Sequence, residues 1–143
     1  MQIIPATISD MQAVYRLICQ LEEQTLCPAD FERIYLQNLQ NPTICYLLCK
    51  DGGEVLGFCS LHMQSLLHHA GKIAEVQELI LCPSARGFGA GRALMEAAKQ
   101  RAQQEGCLQI EVCCNLRREG AHQFYEHIGL KRSHYKFTAP LPR

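Results

Sequence analysis

Apolar residues recur three or four residues apart in four stretches of the chain, a spacing that places them on one face of a helix. The clearest set is Met11, Val14, Leu17, Ile18 and Leu21. The apolar faces of three further predicted helices contain Phe31, Ile34, Tyr35 and Leu39, then Ala90, Ala93, Leu94, Ala97 and Ala98, then Ala121, Phe124, Tyr125 and Ile128. The predicted helix boundaries are a Ser9–Gln12 capping box, Pro28 at the start of the second helix, and Gly106 and Gly129 as C-terminal ends.

Runs rich in strand-forming residues separate these helices. They cover residues 2–6, 43–50, 55–63, 72–82, 110–114 and 131–138. Asp51-Gly52-Gly53, between the second and third runs, predicts a tight hairpin. The order β-α-α-β-β-β-α-β-α-β puts hairpin-linked strands first and crossover helices later. It predicts an α/β fold (α+β in some schemes), in which helices flank a mixed, mostly antiparallel sheet.

Length and charge exclude several classes of protein. The 143 residues fit one domain, which we expect to span 1–143. Lys plus Arg and Asp plus Glu number 14 each, so there is no excess positive charge for sequence-independent binding to nucleic acid. No apolar run approaches the ~20 residues of a membrane span. Met1 to Asp10 lacks the basic and apolar segments of a signal peptide.

The nine cysteines indicate a reducing compartment. Their number is odd, no CxxC pair occurs, and Cys45, Cys49, Cys59 and Cys113 lie inside apolar segments. We therefore expect most of them to be buried, reduced thiols that pack as small apolar side chains. This usage predicts a cytoplasmic protein.

A glycine-rich turn between a strand and a helix is the strongest chemical signal. Residues 78–92 read Glu-Leu-Ile-Leu-Cys-Pro-Ser-Ala-Arg-Gly-Phe-Gly-Ala-Gly-Arg. The N-terminus of a helix presents unpaired N–H groups and partial positive charge, and both favour phosphate binding. Gly87, Gly89 and Gly91 remove Cβ atoms from this turn, and Arg86 and Arg92 add charge. The motif is neither a P-loop nor a dinucleotide fingerprint, because the Gly-Lys-Ser/Thr and the sixth-position glycine are absent.

Several segments together resemble the GNAT acetyltransferase superfamily. They are Ile4-Pro5-Ala6-Thr7, Leu79-Ile80-Leu81-Cys82-Pro83 with Arg86-Gly87-Phe88-Gly89-Ala90-Gly91, and Ala121 to Leu130. Leu67-His68-His69, Glu75-Val76-Gln77-Glu78-Leu79 and Ala121-His122-x-Phe124-Tyr125 are similar, more narrowly, to aminoalkylphosphonate N-acetyltransferases. The resemblance implies a GNAT-like fold, acetyl-CoA as the acetyl donor and a small primary amine as the acceptor, with an aminoalkylphosphonate as the narrower expectation.

The resemblance also implies roles for individual residues. Tyr125 would protonate the departing thiolate. Apart from the resemblance, Glu78 is the candidate base for the proton of the amine, because it lies on the strand that leads into the glycine-rich turn. Backbone N–H groups of Leu79 and Leu81 would hold the pantetheine arm and polarise the thioester carbonyl. The full set of expected cofactor contacts is Leu79, Ile80, Leu81, Arg86, Gly87, Phe88, Gly89, Ala90, Gly91, Arg92 and Asn115. Arg118 occupies the position where many GNAT enzymes have an asparagine, and Asn115, one turn earlier, is the candidate substitute.

Three histidines raise the question of a metal or of an acidic acceptor. His62, His68 and His69, with Glu75 and Glu78 nearby in sequence, are candidates to hold a divalent metal, although their spacing is not a recognised ligand pattern. A substrate dianion would need local cations because the chain has no net positive charge. His68, His69, Arg118 and a metal held by the histidines are the available groups.

Other functions stay open at this stage. The same machinery can acetylate a protein α-amine or a lysine, and a CoA-binding regulatory module without turnover belongs to a different class. A covalent mechanism through Cys82 is disfavoured because no histidine is adjacent in sequence to activate the thiol. Since Arg143 follows soon after the last predicted strand, and the usual final strand of the family is short or absent, a second subunit of a homodimer is a candidate to complete the acceptor site.

Overall fold

The strands of the protein form one five-stranded sheet in the order β1-β2-β3-β4-β5. The computed structural model describes all residues 1–143. It separates into two compact units, Met1–Glu111 and Val112–Arg143. In chain order the elements are β1 (Gln2–Pro5), α1 (Met11–Glu22), α2 (Pro28–Leu39), β2 (Ile44–Asp51), β3 (Glu54–Leu66), β4 (Gly71–Leu81), α3 (Ala90–Gln104), β5 (Ile110–Val112) and α4 (Glu119–His127). This mixed, mostly antiparallel arrangement confirms the predicted fold class. The extent of a single domain stays a prediction.

The first four strands pair antiparallel, each with the next along the chain. Gly52 and Gly53 join β2 to β3 with φ angles of 57° and 85°. Two successive positive φ values are those of a type I′ hairpin, whose twist matches the flanking strands. The hairpin predicted from Asp51-Gly52-Gly53 is therefore confirmed.

Helices cover both faces of the sheet. Leu48, Phe58 and Ile80 are paired across three neighbouring strands and pack against buried residues of α1 and α2, such as Val14. The next residue of β3, Gly57, has the opposite orientation because side chains alternate along a strand. A Cβ atom at Gly57 would lie 3.2 Å from Leu94 Cδ1 of α3. Helices α1 and α2 therefore cover one face of the sheet, and α3 covers the other.

A β-bulge interrupts the pairing of β3 with β4. Ser60 pairs with Glu78, but Leu61, the next residue, pairs with Val76. Gln77 is thus an extra residue on β4. A bulge changes the direction of the strand and lets consecutive side chains lie on the same face.

The structure corrects two sequence predictions. The capping box is formed by Thr7 and Asp10, whose carboxylate accepts the Thr7 N–H at 2.8 Å, and not by Ser9 and Gln12. The strand predicted at 131–138 is absent, and residues 131–143 have no regular secondary structure. A strand requires a paired neighbour, and this alternating segment has none, so Tyr135 and Phe137 are 85% and 92% exposed. None of the four helices has the length and apolar character that a membrane crossing requires.

Candidate active site

The glycine-rich turn joins the end of β4 to the start of α3. Gly87 and Gly89 have φ angles of 86° and 83°, in the left-handed region that favours glycine. Gly89 is also the N-cap of α3, so no side chain bonds the first N–H groups of this 15-residue helix. The first intrahelical bond at this end runs from the Ala93 N–H to the Gly89 carbonyl, at 3.0 Å. The preceding N–H groups remain available to an anion.

The charged and apolar residues of this turn lie at the surface. Arg86 and Arg92 are exposed, and no carboxylate forms an ion pair with either. Phe88 is 77% exposed. The turn therefore places two guanidinium groups without an ion-pair partner beside a helix N-terminus, and both features favour phosphate binding.

Near its C-terminal end, β4 pairs with β3 on one edge, and on the other edge Gln20 Nε2 of α1 donates to the Leu81 carbonyl at 3.2 Å. Backbone N–H groups of Glu78 and Cys82 point toward β3, where they bond Ser60 Oγ at 3.0 Å and the Leu56 carbonyl at 2.8 Å. Because N–H direction alternates along a strand, the Leu79 and Leu81 N–H groups point away from β3. On that side β5 is the neighbouring strand of β4, and the residues just before β5 bond β4 at Lys72 and Ala74, toward its N-terminal end.

Glu78 is held by a buried serine that the sequence analysis did not identify. Ser60 is fully buried, and its hydroxyl donates to Glu78 Oε1 while accepting the Glu78 N–H at 3.0 Å. The two residues are direct cross-strand partners. This reciprocal pair fixes the direction of the carboxylate. The sequence signal that could have identified Ser60 is its position as the single hydroxyl residue in the apolar run Gly57 to Leu61.

A cavity of about 370 Å³ lies between α1, α2 and the sheet. Its aromatic walls are Phe31, Tyr35, Tyr46 and Phe58. Its polar lining residues are Asn38, His62, Gln77 and Glu78. The β4 bulge explains why the consecutive residues Gln77 and Glu78 both line it. The volume falls in the ~300–1,000 Å³ range of small-molecule sites, and mostly apolar walls with a few polar groups are typical of such sites.

Hydrogen bonds fix the polar groups of the two tyrosines in this cavity. Tyr35 donates to the Thr7 carbonyl at 2.7 Å, and Tyr46 accepts from Asn38 Nδ2 at 2.7 Å. Burial raises the pKa of Tyr35 to about 12 and also raises the pKa of Tyr46. Both phenols therefore stay neutral at physiological pH, and neither is suited to act as a base there.

Tyr125 and Asn115 lie in the second unit. Tyr125 is buried on α4, and its ring packs edge-on against Phe124 with centroids 5.3 Å apart. Asn115 lies in the turn before α4, where its Oδ1 accepts the Arg117 N–H at 3.0 Å and its carbonyl bonds His122 Nε2 at 2.8 Å. The Asn115 side-chain oxygen therefore has a local structural role. The roles proposed for both residues toward acetyl-CoA stay predictions.

The predicted metal ligands do not come together. No group of three or more His, Cys, Asp or Glu side chains has an arrangement suited to a metal ion. His62 lines the cavity, whereas His68 and His69 lie on the turn between β3 and β4. His69 Nε2 is 4.0 Å from Glu111 Oε2. The residues present do not fit a resident metal, so we assign no step to one.

The nine cysteines are all free thiols. Cys45, Cys49 and Cys59 are buried as expected, but Cys113 is exposed because the strand predicted at 110–114 ends at Val112. Burial raises the pKa of the Cys59 thiol to about 12. Cys82, at the end of β4, is partly exposed and its Sγ lies 3.3 Å from Ser84 Oγ.

The features of the first unit are those expected of an acyltransferase that takes its acyl group from a phosphate-bearing donor. Comparison with known proteins agrees with this class. Residues 11–130 match the model of the acetyltransferase (GNAT) family. The chain is 42% identical over 136 residues to the aminoalkylphosphonate N-acetyltransferase of Salmonella typhimurium, covering 95% of this chain and 88% of that protein.

Solved structures share the fold at low sequence identity. A protein of Bacillus halodurans described as a transcriptional regulator has a TM-score of 0.91 at 23% identity, covering 98% of this chain and 99% of that one. An aminoglycoside 6'-N-acetyltransferase of Acinetobacter haemolyticus has a TM-score of 0.85 at 14% identity, covering 100% and 99%. The chain therefore belongs to the GNAT family of acetyltransferases, as the sequence resemblance predicted.

Proposed function

We propose that this enzyme transfers the acetyl group of acetyl-CoA to the primary amine of a small molecule, and that an aminoalkylphosphonate is the acceptor. The observation that carries the proposal is the cavity of about 370 Å³ that contains Glu78. The strand that carries Glu78, β4, leads directly into the glycine-rich turn. The identity with the Salmonella enzyme supports the narrower choice of acceptor.

Residues of the turn and of β4 account for binding of the donor. The unpaired N–H groups at the start of α3, with Arg86 and Arg92, bind the pyrophosphate. The N–H groups of Leu79 and Leu81 hold the pantetheine arm and polarise the thioester carbonyl, which becomes more negative as the amine attacks. Backbone N–H groups of a strand are held in position before the reaction and need little reorganisation during it.

Glu78 and Tyr125 account for the proton transfers. An amine attacks only after its ammonium form has lost a proton, and the Glu78 carboxylate, oriented by Ser60, accepts that proton directly or through one water. Tyr125 donates a proton to the sulfur as the carbon–sulfur bond breaks. The nitrogen loses its second proton after the attack, and this proton replaces the one that Tyr125 gave to the sulfur. The net reaction converts acetyl-CoA and an ammonium ion into CoA, an N-acetylated amine and one proton, which Glu78 releases to solvent.

Location and assembly belong to the same proposal. Nine free thiols without a disulfide support a cytoplasmic site of action. The exposed aromatic residues Tyr135 and Phe137 support a homodimer in which the terminal segment of one chain contacts the other.

A thiol-release assay tests the proposal. Acetyl-CoA is presented with 2-aminoethylphosphonate, n-propylamine, spermidine and a peptide with a free α-amine, each with and without chelator. We expect the fastest CoA release with a small amine and the slowest with the peptide, because the cavity has the size of a small-molecule site. A peptide that reacts faster than every small amine, or no release with any acceptor, contradicts the proposal.

A further inference from the structure

The cavity contains one negative group and one side chain that can become positive. Glu78 is the carboxylate, and His62 is the single lining residue whose side chain can carry positive charge. The other polar lining residues, Asn38 and Gln77, have neutral amides. No arginine or lysine lines the cavity. An acceptor that carries both an ammonium and an acidic group therefore has one counter-charge available for each end.

Strand register places these two groups on the same face of the sheet. Ser60 is the cross-strand partner of Glu78, and His62 lies two residues further along the same strand. Two residues of a strand span roughly 7 Å. Since both side chains extend into the cavity, the distance left for a ligand favours a short chain of two or three carbons between its nitrogen and its acidic group.

The His62 imidazole has no competing partner. No hydrogen bond or ion pair within 4.0 Å engages it. Glu75 is its cross-strand partner on β4 and lies on the same face of the sheet. The imidazole can therefore donate N–H groups to an anion in the cavity.

The two histidines expected to bind the anion lie elsewhere. His68 and His69 stack against each other on the β3–β4 turn, with ring centroids 4.4 Å apart, and neither lines the cavity. His69 also faces Glu111. His68 is therefore a suitable control for His62, because it is a histidine of the same hairpin that lies outside the cavity.

We infer that His62 determines acceptor specificity by binding the acidic end of a short amino acid-like or aminophosphonate acceptor, while Glu78 receives its amine. This inference rests on the proposed function. It gives a binding partner to the acidic end of the acceptor, which the proton transfer to Glu78 does not involve. The aromatic walls, Tyr46 and Phe58 among them, pack against the carbon chain between the two charged ends.

The test measures a substrate ratio. kcat/KM is determined for 2-aminoethylphosphonate and for n-propylamine, which has an uncharged end of similar length, in wild type, His62→Gln and His68→Gln. Glutamine keeps a hydrogen-bond donor and a similar size but removes the charge. Wild type is expected to prefer the phosphonate by at least about tenfold, the value of one charge-assisted contact.

His62→Gln is expected to lower this ratio by about tenfold, through a higher KM for the phosphonate, whereas His68→Gln keeps the wild-type ratio. A ratio near one in wild type, or a ratio that His62→Gln leaves unchanged, overturns the inference while acetylation of both amines leaves the proposed function standing. Absence of acetylation with any amine overturns the proposed function itself. Melting temperatures of both variants establish that they fold.

Discussion

The donor side and the acceptor side of this molecule differ in how they are encoded. The groups proposed to bind acetyl-CoA within the first unit lie in one continuous segment, residues 79–92, and most of them are backbone N–H groups. The acceptor cavity is formed by side chains from five elements, between Val14 and Glu78. Backbone binding needs glycine and an open helix end, which a sequence displays directly. A cavity built from side chains depends on strand register and packing, and a sequence does not display these directly.

Replacement of Tyr125 has the largest expected effect on turnover. Tyr125→Phe removes the hydroxyl and keeps the ring that packs against Phe124. We expect kcat to fall by ~10²–10⁴-fold, the usual contribution of a general acid, with little change in acetyl-CoA affinity. Steady-state kinetics and calorimetric titration measure the two quantities. Wild-type kcat in this variant leaves Tyr125 with a packing role only.

A glutamate in the glycine turn separates donor binding from fold stability. Gly89→Glu puts negative charge at the start of α3, and Gly53→Glu is the matched control. The two glycines have φ angles of 83° and 85°, and a Cβ at either position meets no atom within 4 Å. Both variants therefore carry similar backbone strain.

Only Gly89→Glu is expected to abolish the rise in melting temperature that CoA produces, because ligand binding stabilises the folded state alone. We expect Kd for CoA to rise by about 100-fold or more, from the loss of phosphate contacts and added repulsion. If Gly89→Glu retains the full shift, the phosphate site lies elsewhere. An equal loss in Gly53→Glu assigns the effect to strain.

Loss of the Ser60 hydroxyl is expected to have a moderate effect on the acceptor side. Ser60→Ala leaves the Glu78 carboxylate without its buried donor, so the base is less well oriented. We expect kcat to fall about tenfold while CoA affinity is unchanged. Ser65→Ala, at an exposed position of the same strand, is the control and keeps wild-type kcat. Equal rates in all three proteins contradict a positioning role for Ser60.

Thiol labelling gives the smallest and most local readout. Burial raises the pKa of Cys59 to about 12, so at pH 8 only about one in 10⁴ of its thiols is ionised and alkylation is very slow. Cys27 is exposed and labels freely. CoA should slow labelling of Cys82, at the end of β4, severalfold without protecting Cys27, as peptide mass spectrometry can measure. Cys59 labelling at the Cys27 rate contradicts the described core.

The sequence predicted local features well and tertiary ones poorly. The four helices and the hairpin at Gly52-Gly53 follow from spacing and turn residues, because these signals act within one element. The prediction of a strand at 131–138 was wrong because alternation of polar and apolar residues alone does not supply a partner strand. His68 and His69 were proposed as anion ligands because they belong to a segment that resembles the aminoalkylphosphonate enzymes, but strand pairing puts them on the β3–β4 turn, outside the cavity.

The register explains the residues that were missed. Ser60 meets Glu78 because two strands pair at that point, and Gln77 enters the cavity because a bulge shifts the register by one residue. Neither fact follows from the composition of a single strand. Glu78 itself was predicted because it lies on the strand that leads into the glycine-rich turn. It directly precedes the continuous segment that is proposed to bind the donor.

The most direct test of the central claim is the identity and amount of product formed from acetyl-CoA and 2-aminoethylphosphonate. Product is identified by mass spectrometry, and free CoA is quantified in the same samples, for wild type and Glu78→Gln. The account predicts one N-acetylated acceptor for each CoA released by wild type, and at least about 100-fold slower formation by Glu78→Gln at neutral pH. CoA release without acetylated amine, or wild-type rates in Glu78→Gln, would contradict it.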